Sequence, residues 1–477
     1  MSDITSLKIQ GKVLSPESPD YQKALHRNSD LSILDAAYVV QPEAYTDIPP
    51  VLAYATSHGL EVAVTGGGCH SSTWASSKGG VVIDLGRLNK VTLSADKKVV
   101  TIQGGARWGD VYEVGGKEQR EIPGAPLWFV GVGGSLLSGA SGYLSGRYSL
   151  GIDNLVAATV VLADGRIVRT SAEDEPDLFW AIRGGGNQFG IVVEFELRTY
   201  PAPGPATTGT LIYPGTEFDG EFHEQASVDE KLTVVWARPG PHFKPTIIVA
   251  PWISAGAERS PHQILEPLRI KATPVVDKIT TAPDQTTLSH ASDASQARAP
   301  RRLQIRGGAF SKFWTDIMVG SWERWVKFTE DNEDARASTL IWDVRNPGAI
   351  TKVGPTDTAY PIRKPHCFVA IQGRWVSFSI HLIEETADHL PPCMIRNTRP
   401  ETDEVTSAWL RSIADFIREA NTANSGEDLG VILTMAKGDE LPEAVFGQNL
   451  PRLRKLKAKY DPKNVWSKGF TIEPDFS

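Results

Sequence analysis

Four glycines that stand just before a buried strand are the residues most suited to hold a cofactor. They are Gly184, Gly185, Gly186 and Gly190, within a segment from residue 177 to residue 193 that also contains an aromatic helix end. Because glycine has no Cβ, backbone amides at these positions can approach an anionic or flat aromatic ligand. The pattern indicates a cofactor cradle.

Two further glycine clusters lie upstream and strengthen this interpretation. Residues 65–71 follow a predicted strand directly, and residues 130–143 are rich in glycine and serine. Successive amides in such loops can curl around a pyrophosphate. The cofactor-binding candidates are Thr65, Gly66, Gly67, Gly68, Cys69, His70, Ser71, Gly131, Val132, Gly133, Gly134, Ser138, Gly139, Gly142, Tyr143, Gly190, Ile191, Val192 and Trp466.

Together the three clusters imply a large, flat ligand that carries phosphate. None of them matches the dinucleotide fingerprint, in which Gly-x-Gly-x-x-Gly opens a helix and an acidic residue follows about twenty positions later. The sequence therefore disfavours a nicotinamide-dependent dehydrogenase.

Composition restricts the class of protein and its partners. The chain has 477 residues, of which 41% are hydrophobic, enough for roughly two or three domains with full cores. Lys and Arg number 49 against 57 Asp and Glu, so we expect neither nucleic acid nor a membrane as partner. The basic run 452–459 predicts the solvated face of an amphipathic helix. No signal peptide is visible, so we expect a cytoplasmic protein.

The cysteines suggest neither a disulfide framework nor a metal site. Cys69, Cys367 and Cys393 are odd in number and far apart. Their spacing lacks the pairs that metal ligation uses. We therefore expect no metal.

The first part of the chain predicts mixed helices and strands without a regular βαβ alternation. Asp164 and Gly165 form a hairpin-type turn between two strands, and the proline-rich run 201–205 marks a domain boundary. Predicted helices cover residues 48–59 and 108–118, and predicted strands cover residues 61–64, 81–85, 99–103, 154–163 and 167–169.

Beyond residue 205, alternating strands predict an antiparallel sheet with helices on one side. We expect strands at 232–237, 246–250, 339–344 and 366–375, and helices at 408–420 and 451–460. The fold class is α+β, with three segments: 1–205, 206–427, and 428–477, which returns to the first domain.

The motifs resemble those of FAD-linked oxidases of the vanillyl-alcohol oxidase and p-cresol methylhydroxylase superfamily, in the berberine bridge enzyme-like branch. The similarity spans nearly the whole chain. It rests on residues 64–68 with 79–85, 130–134, 153–155 with 163–165, 177–193 and 460–465.

This resemblance implies a bipartite PCMH-type fold, with an FAD-binding domain built from both chain ends and a central substrate domain. It implies an oxidase that passes a hydride from a small alcohol, amine or secondary-metabolite intermediate to flavin N5, with dioxygen as acceptor and hydrogen peroxide as product. The partners would be that small molecule and dioxygen, and the protein a monomer or homodimer. The alternative is an FAD-binding enzyme that catalyses a cyclisation or isomerisation without net redox change.

The chain departs from the family where flavin is usually linked. Ungapped alignment places Cys69 where the linking histidine usually stands, and His70 one residue later. In an extended loop, neighbours point to opposite sides, so both cannot face the same flavin methyl group. Noncovalent binding, a Cys69 link and a His70 link all stay open. Leu127 occupies the place of the family's second linking cysteine, which excludes that bond.

The family's base, a tyrosine near the C-terminus, is also absent, because residues 432–435 contain none. Alternation along the strand 366–375 places His366, Gln372 and Arg374 on one face, and His366 is the best base candidate if that face meets the flavin. His366 could equally cap the strand. Tyr143 and Asp343 are weaker catalytic candidates.

Overall fold

The computed structural model describes residues 4–217, 227–293, 302–375 and 400–477. The strands are β1 Lys12–Leu14, β2 Tyr38–Gln41, β3 Val62–Thr65, β4 Val81–Asp84, β5 Val91–Leu93, β6 Val99–Gln103, β7 Arg120–Glu121, β8 Leu155–Val161, β9 Ile167–Ser171, β10 Ile191–Arg198, β11 Tyr200–Pro201, β12 Ala206–Pro214, β13 Glu230–Ala237, β14 Thr246–Ile253, β15 Val276–Ala282, β16 Arg302–Phe310, β17 Thr339–Arg345 and β18 Cys367–Trp375. The α-helices are α1 Tyr21–Ala24, α2 Ile48–Ser57, α3 Trp108–Lys117, α4 Val132–Leu137, α5 Ser145–Tyr148, α6 Pro176–Ile182, α7 Pro261–Lys271, α8 Gln285–Ser289, α9 Thr315–Asp331, α10 Pro400–Ser425, α11 Pro442–Phe446 and α12 Leu450–Tyr460.

The N-terminal sheet has the order β1-β2-β4-β3 in the described part of the chain. Strand β4 pairs in parallel with both β2 and β3. Its apolar residues Val81, Val82 and Ile83 are all buried, as expected of a strand covered on both faces. Helix α2, between β2 and β3, has prolines in its first turn and ends before Gly59 at φ +63°.

The second sheet has the order β5-β6-β10-β8-β9 and is antiparallel. Its strands β8 and β9 are joined at Asp164 and Gly165, where Gly165 takes φ +87°. Trp108, Phe195 and strand residues around them form a core with apolar side chains between Val431 and Ile472. The end of the chain therefore packs against the same core as the strands near residues 99–197.

The third sheet is antiparallel throughout, with the order β15-β12-β14-β13-β17-β18-β16 over the described ranges. Alternate side chains of β17, including Leu340 and Trp342, pack in one core with Trp325 of α9 and Ile413 of α10. Because strand side chains alternate, Asp343 and Arg345 lie on the opposite face. That face adjoins the N-terminal half of the chain.

These observations confirm the α+β class, whereas the limits 1–205, 206–427 and 428–477 stay predictions. Strand β18 begins at Cys367, so His366 precedes the strand. The expected helix at 408–420 is longer and spans Pro400–Ser425. The solvated-face interpretation of residues 452–459 is wrong for Lys457, which is fully buried.

Within the described ranges, no helix combines the length and apolarity that a membrane crossing requires. Cys69 and Cys367 are free thiols, and Cys393 lies outside the described residues.

Candidate cofactor and substrate site

The first two glycine clusters contact each other through their backbones. A Cβ at Gly67 would lie 2.4 Å from the Gly131 nitrogen, and a Cβ at Gly131 would lie 2.4 Å from the Gly67 nitrogen. No side chain fits between the two loops at this distance. Glycine at both positions is therefore what allows residues 65–71 and residues 130–134 to form one wall.

Gly104, at the end of β6, joins this wall to the strand that follows the third cluster. A Cβ at Gly104 would lie 2.4 Å from the Val192 carbonyl oxygen, and a Cβ at Gly133 would lie 3.1 Å from the Gly104 carbonyl oxygen. Gly104 is not among the cofactor-binding residues predicted from the sequence. The pair of glycines at the end of a predicted strand was the available signal.

The three clusters surround a cleft that the C-terminal segment completes. Gln188 donates from Nε2 to the Lys468 carbonyl at 2.8 Å, and Asn187 donates from Nδ2 to the same oxygen at 3.1 Å. The cleft is lined by Val62, Val64, Gly66, Gly67, Gly68, Cys69, His70, Ser71, Trp74, Ala75, Leu85, Gly104, Val130, Gly131, Gly133, Gly134, Ser135, Leu137, Ser138, Gly185, Gly186, Asn187, Gln188, Gly190, Ile191, Val192, Ile305, Leu433, Thr434, Phe446, Trp466, Lys468 and Phe470.

Five of the cofactor-binding candidates lie outside this lining. Thr65 and Val132 are buried behind it, Val132 with the core of the second sheet. Gly139, at φ +121°, packs against the ring of Tyr360. A Cβ at Gly142 would lie 1.9 Å from the Gly124 carbonyl, so glycine is needed there for packing. Tyr143 packs against Trp252 instead.

Cys69 and His70 both line the cleft, so the expected alternation of an extended loop does not separate them. Gly68, immediately before them, takes φ +64°, which turns the chain. The Cys69 thiol donates to the Phe129 carbonyl at 3.1 Å, and burial raises its pKa.

His70 is held by a stack and a hydrogen bond. Its ring stacks on Trp74 at 4.3 Å, and Nδ1 accepts a hydrogen bond from the Ser72 amide at 3.1 Å. Burial, with the charge of Lys437 second, lowers the pKa of His70 to about 4. The imidazole is therefore neutral at neutral pH.

Lys437, which is not among the site residues predicted from the sequence, lies beside the first cluster. Its Nζ donates to the Ser71 carbonyl at 3.1 Å, and burial together with Arg306 lowers its pKa to about 8. Its position just after the 3-10 turn Leu433–Met435 brings a cation to the cleft wall.

The predicted catalytic residues His366, Gln372 and Arg374, in β18 and just before it, do not line the cleft. His366 is buried, its Nδ1 is 2.7 Å from the Lys364 carbonyl oxygen, and burial lowers its pKa to about 4. Arg374 donates from Nε to Gln372 Oε1 at 3.1 Å, and burial lowers its pKa to about 10. The local hydrogen bond of His366 matches the strand-capping alternative.

A charged cluster lies on the sheet face that carries Asp343. We call it the Lys231 cluster and define it as Lys231, Asp343, Arg345 and Tyr143. Lys231 Nζ is 2.7 Å from Asp343 Oδ2, and Arg345 Nε is 3.5 Å from Asp343 Oδ1. The Tyr143 ring centroid is 5.1 Å from Lys231 Nζ. Lys231 and Arg345 are not among the predicted site residues, because a charged residue on a strand usually indicates a solvated face.

The cleft fits FAD by its own geometry. Gly67 and Gly131, where a Cβ would collide with backbone, allow the first two glycine loops to contact each other. A Cβ at Gly134 would have no atom within 4 Å, so Gly134 faces open space. The apolar side chains of Val62, Leu85 and Trp466 can pack against the ring systems of FAD. The backbone amides of the glycine loops can donate hydrogen bonds to its phosphates.

Comparison with known proteins agrees with this geometry. Residues 36–171 match the model of an FAD binding domain, and residues 421–469 match the model described as berberine and berberine like. FAD-linked oxidoreductase pgmH of Aspergillus terreus is 30% identical, covering 99% of this chain and 96% of that protein.

The chain belongs to the berberine bridge enzyme-like FAD-linked oxidoreductases. It is an enzyme, and its cofactor is FAD.

Two solved structures show the same fold at low identity. 6-Hydroxy-D-nicotine oxidase from Arthrobacter nicotinovorans superimposes with a TM-score of 0.78 at 20% identity, covering 99% of this chain and 100% of that one. Xylooligosaccharide oxidase from Myceliophthora thermophila superimposes with a TM-score of 0.77 at 21% identity, covering 98% of both chains. The bipartite PCMH-type architecture is thus shared by this FAD-linked oxidoreductase.

Proposed function

We propose that the protein is an FAD-dependent oxidase that removes a hydride from a small organic substrate and uses dioxygen as electron acceptor, giving hydrogen peroxide. When bound, FAD supplies the hydride acceptor. The supporting observation is that the cleft lies next to one face of the third sheet, the face that carries Asp343 and Arg345. Residues 137–143 connect the two. Leu137 and Ser138 line the cleft, and Ser141 contacts Arg345 of that face.

The chain's own residues would bind and orient the substrate on this face. Burial, with Asp343 second, raises the pKa of Tyr143 to about 12, so its phenol stays protonated and can donate a hydrogen bond. His366 is neutral at neutral pH. Neither group is a strong base, so the geometry favours a substrate whose C–H bond is already activated, such as an amine or an alcohol in a conjugated intermediate.

The names of the structural relatives point to the same reaction on different molecules. One is a nicotine oxidase and the other an oligosaccharide oxidase. Side chains of the third sheet, rather than residues of the cofactor cleft, would therefore decide which molecule this protein oxidises.

The test mixes the holoenzyme with a panel of small alcohols, amines and phenolic intermediates. An oxidase bleaches its flavin absorption with a substrate in the absence of oxygen, and then consumes oxygen and releases peroxide when air is admitted. Conversion of a compound without bleaching and without oxygen uptake would instead establish the redox-neutral alternative.

A further inference from the structure

The Lys231 cluster holds two basic side chains, Lys231 and Arg345, against one carboxylate, Asp343, in a buried place. Burial lowers the pKa of Lys231, and its 2.7 Å contact with Asp343 opposes that shift and favours the charged ammonium. The side chains of all three are at most 6% exposed. A buried charge without a counterion is costly, which makes an excess cation here unusual.

Strand register brings the two cations together. Lys231 of β13 is directly opposite Arg345 of β17. Like charges in directly opposite positions on neighbouring strands destabilise a sheet. Asp343 relieves part of this repulsion, but its Oδ1 and the Arg345 Nε have no hydrogen-bond partner among the described residues.

Other carboxylates near the cluster are already paired. Asp153 forms an ion pair with Arg363, and Glu230 forms one with Arg259. His366, which lies within the field of Arg345, is neutral. Neither of these carboxylates is left to balance the cluster, and the Cys367 thiol is the other acidic group whose charge acts on Lys231.

The cluster lies beside the cleft, although none of its four residues is part of the cleft lining. Arg345 donates from Nη1 to Ser141 Oγ, three residues beyond Ser138 of the cleft lining. The guanidinium of Arg345 lies 4.9 Å from the ring centroid of Phe368, and Tyr143 packs against Trp252. A cationic centre beside aromatic rings suits a flat organic anion.

We propose that Lys231 and Arg345 bind an anionic group, a carboxylate or a phenolate, of an aromatic or conjugated substrate. Arg345 offers the planar donor geometry that such oxygens accept, and Tyr143 adds a phenolic donor. This inference rests on the proposed function, because it assigns the substrate class of the same site. The charge balance of the cluster is the specificity determinant.

The experiment uses benzoate and its neutral isostere benzamide as probes of the oxidised holoenzyme. Binding is followed by calorimetry and by perturbation of the flavin absorption. Wild type should bind benzoate at least about tenfold more tightly than benzamide. Either R345Q or K231M removes one cation and makes the cluster neutral, so the Kd for benzoate should rise roughly tenfold to a hundredfold while that for benzamide stays unchanged.

D343N changes the charge in the opposite direction and separates recognition from structure. It should bind benzoate as tightly as wild type or more tightly, whereas a merely structural cluster would lose binding in all three variants. R238Q is the matched control, because Arg238 is a buried arginine that bonds Thr329 and Glu330 on the side of helix α9. Its benzoate affinity should equal that of wild type.

Undetectable benzoate binding to wild type, equal binding of the two probes, or equal weakening of both probes by R345Q and K231M would overturn the proposal. The measurement needs no turnover. Absence of oxygen uptake would therefore contradict the oxidase proposal alone, and loss of selectivity for the anion would contradict this one alone.

Discussion

Lys457 and Asp461 form an ion pair in which neither side chain has any exposed surface, with Lys457 Nζ 2.8 Å from Asp461 Oδ2. The same ammonium donates to the carbonyl oxygens of Gln188 and Trp466, each at 2.9 Å. Gln188 and Trp466 both line the cofactor cleft. One buried cation therefore ties the third glycine cluster to the C-terminal segment.

Replacing Lys457 with methionine should strongly destabilise the protein. The substitution leaves the Asp461 carboxylate buried without its cation, and breaking such a pair costs about 3–5 kcal/mol. Urea denaturation should show this loss in the free energy of unfolding, together with release of FAD at lower urea. Lys459→Gln is the control, because that exposed lysine contacts Asp177 at the surface and its loss should cost about 1 kcal/mol or less. Equal stability of both variants would refute the role of the pair.

Replacing Gly67 with alanine should empty the cofactor site while the remaining fold survives. The new Cβ would collide with the Gly131 backbone and push the two loops apart, at a cost of about 1–3 kcal/mol. The flavin-to-protein absorbance ratio of the purified variant should fall at least about tenfold.

Gly308→Ala provides the comparison for this loss. The nearest atom to a Cβ at Gly308 is Ile417 Cγ2 at 3.5 Å, an ordinary contact, so FAD content should not change. Full flavin content in the Gly67 variant would show that the loop contact is not needed.

Acid denaturation should leave no flavin linked to the protein through Cys69. The Cys69 thiol donates a hydrogen bond to the Phe129 carbonyl, and burial raises the pKa of this thiol. Little thiolate is therefore available to form a covalent bond with the flavin. C69S should then retain the FAD content of wild type. A yellow wild-type pellet that turns colourless in C69S, or in H70A, would establish a covalent bond at that residue instead.

Replacing His366 with asparagine should weaken the dependence of the free energy of unfolding on pH. Burial lowers its folded-state pKa to about 4 from 6.5, so the unfolded chain binds a proton more readily between these values. The free energy of unfolding therefore falls as pH drops below 6.5, by up to about 3 kcal/mol at pH 4.

Asparagine at position 366 has no imidazole to titrate. Chemical denaturation at several pH values should show a smaller decline for H366N than for wild type. H262N, which changes a histidine exposed on helix α7, should decline like wild type. Parallel curves for H366N and wild type would contradict the assignment.

The sequence established the three glycine clusters and the α+β class, because these depend on local properties. Glycine has no side chain, so its capacity for close backbone contact can be read from the residue type alone. Strand alternation is visible in any window of several residues. The motif order was sufficient to indicate FAD. It also placed Cys69 and His70 at the cleft, although it could not tell that a turn at Gly68 puts both side chains there.

Only the tertiary structure decided which charged residues are buried and what surrounds them. Lys457 belongs to a basic run that predicts a solvated face, yet it lies in the core because Gln188, Asp461 and Trp466 supply its hydrogen bonds. Lys231 faces Arg345 because β13 pairs with β17, a strand far along the chain. A charge is stable in a protein interior only with partners from elsewhere in the chain, and the sequence around each residue does not contain them.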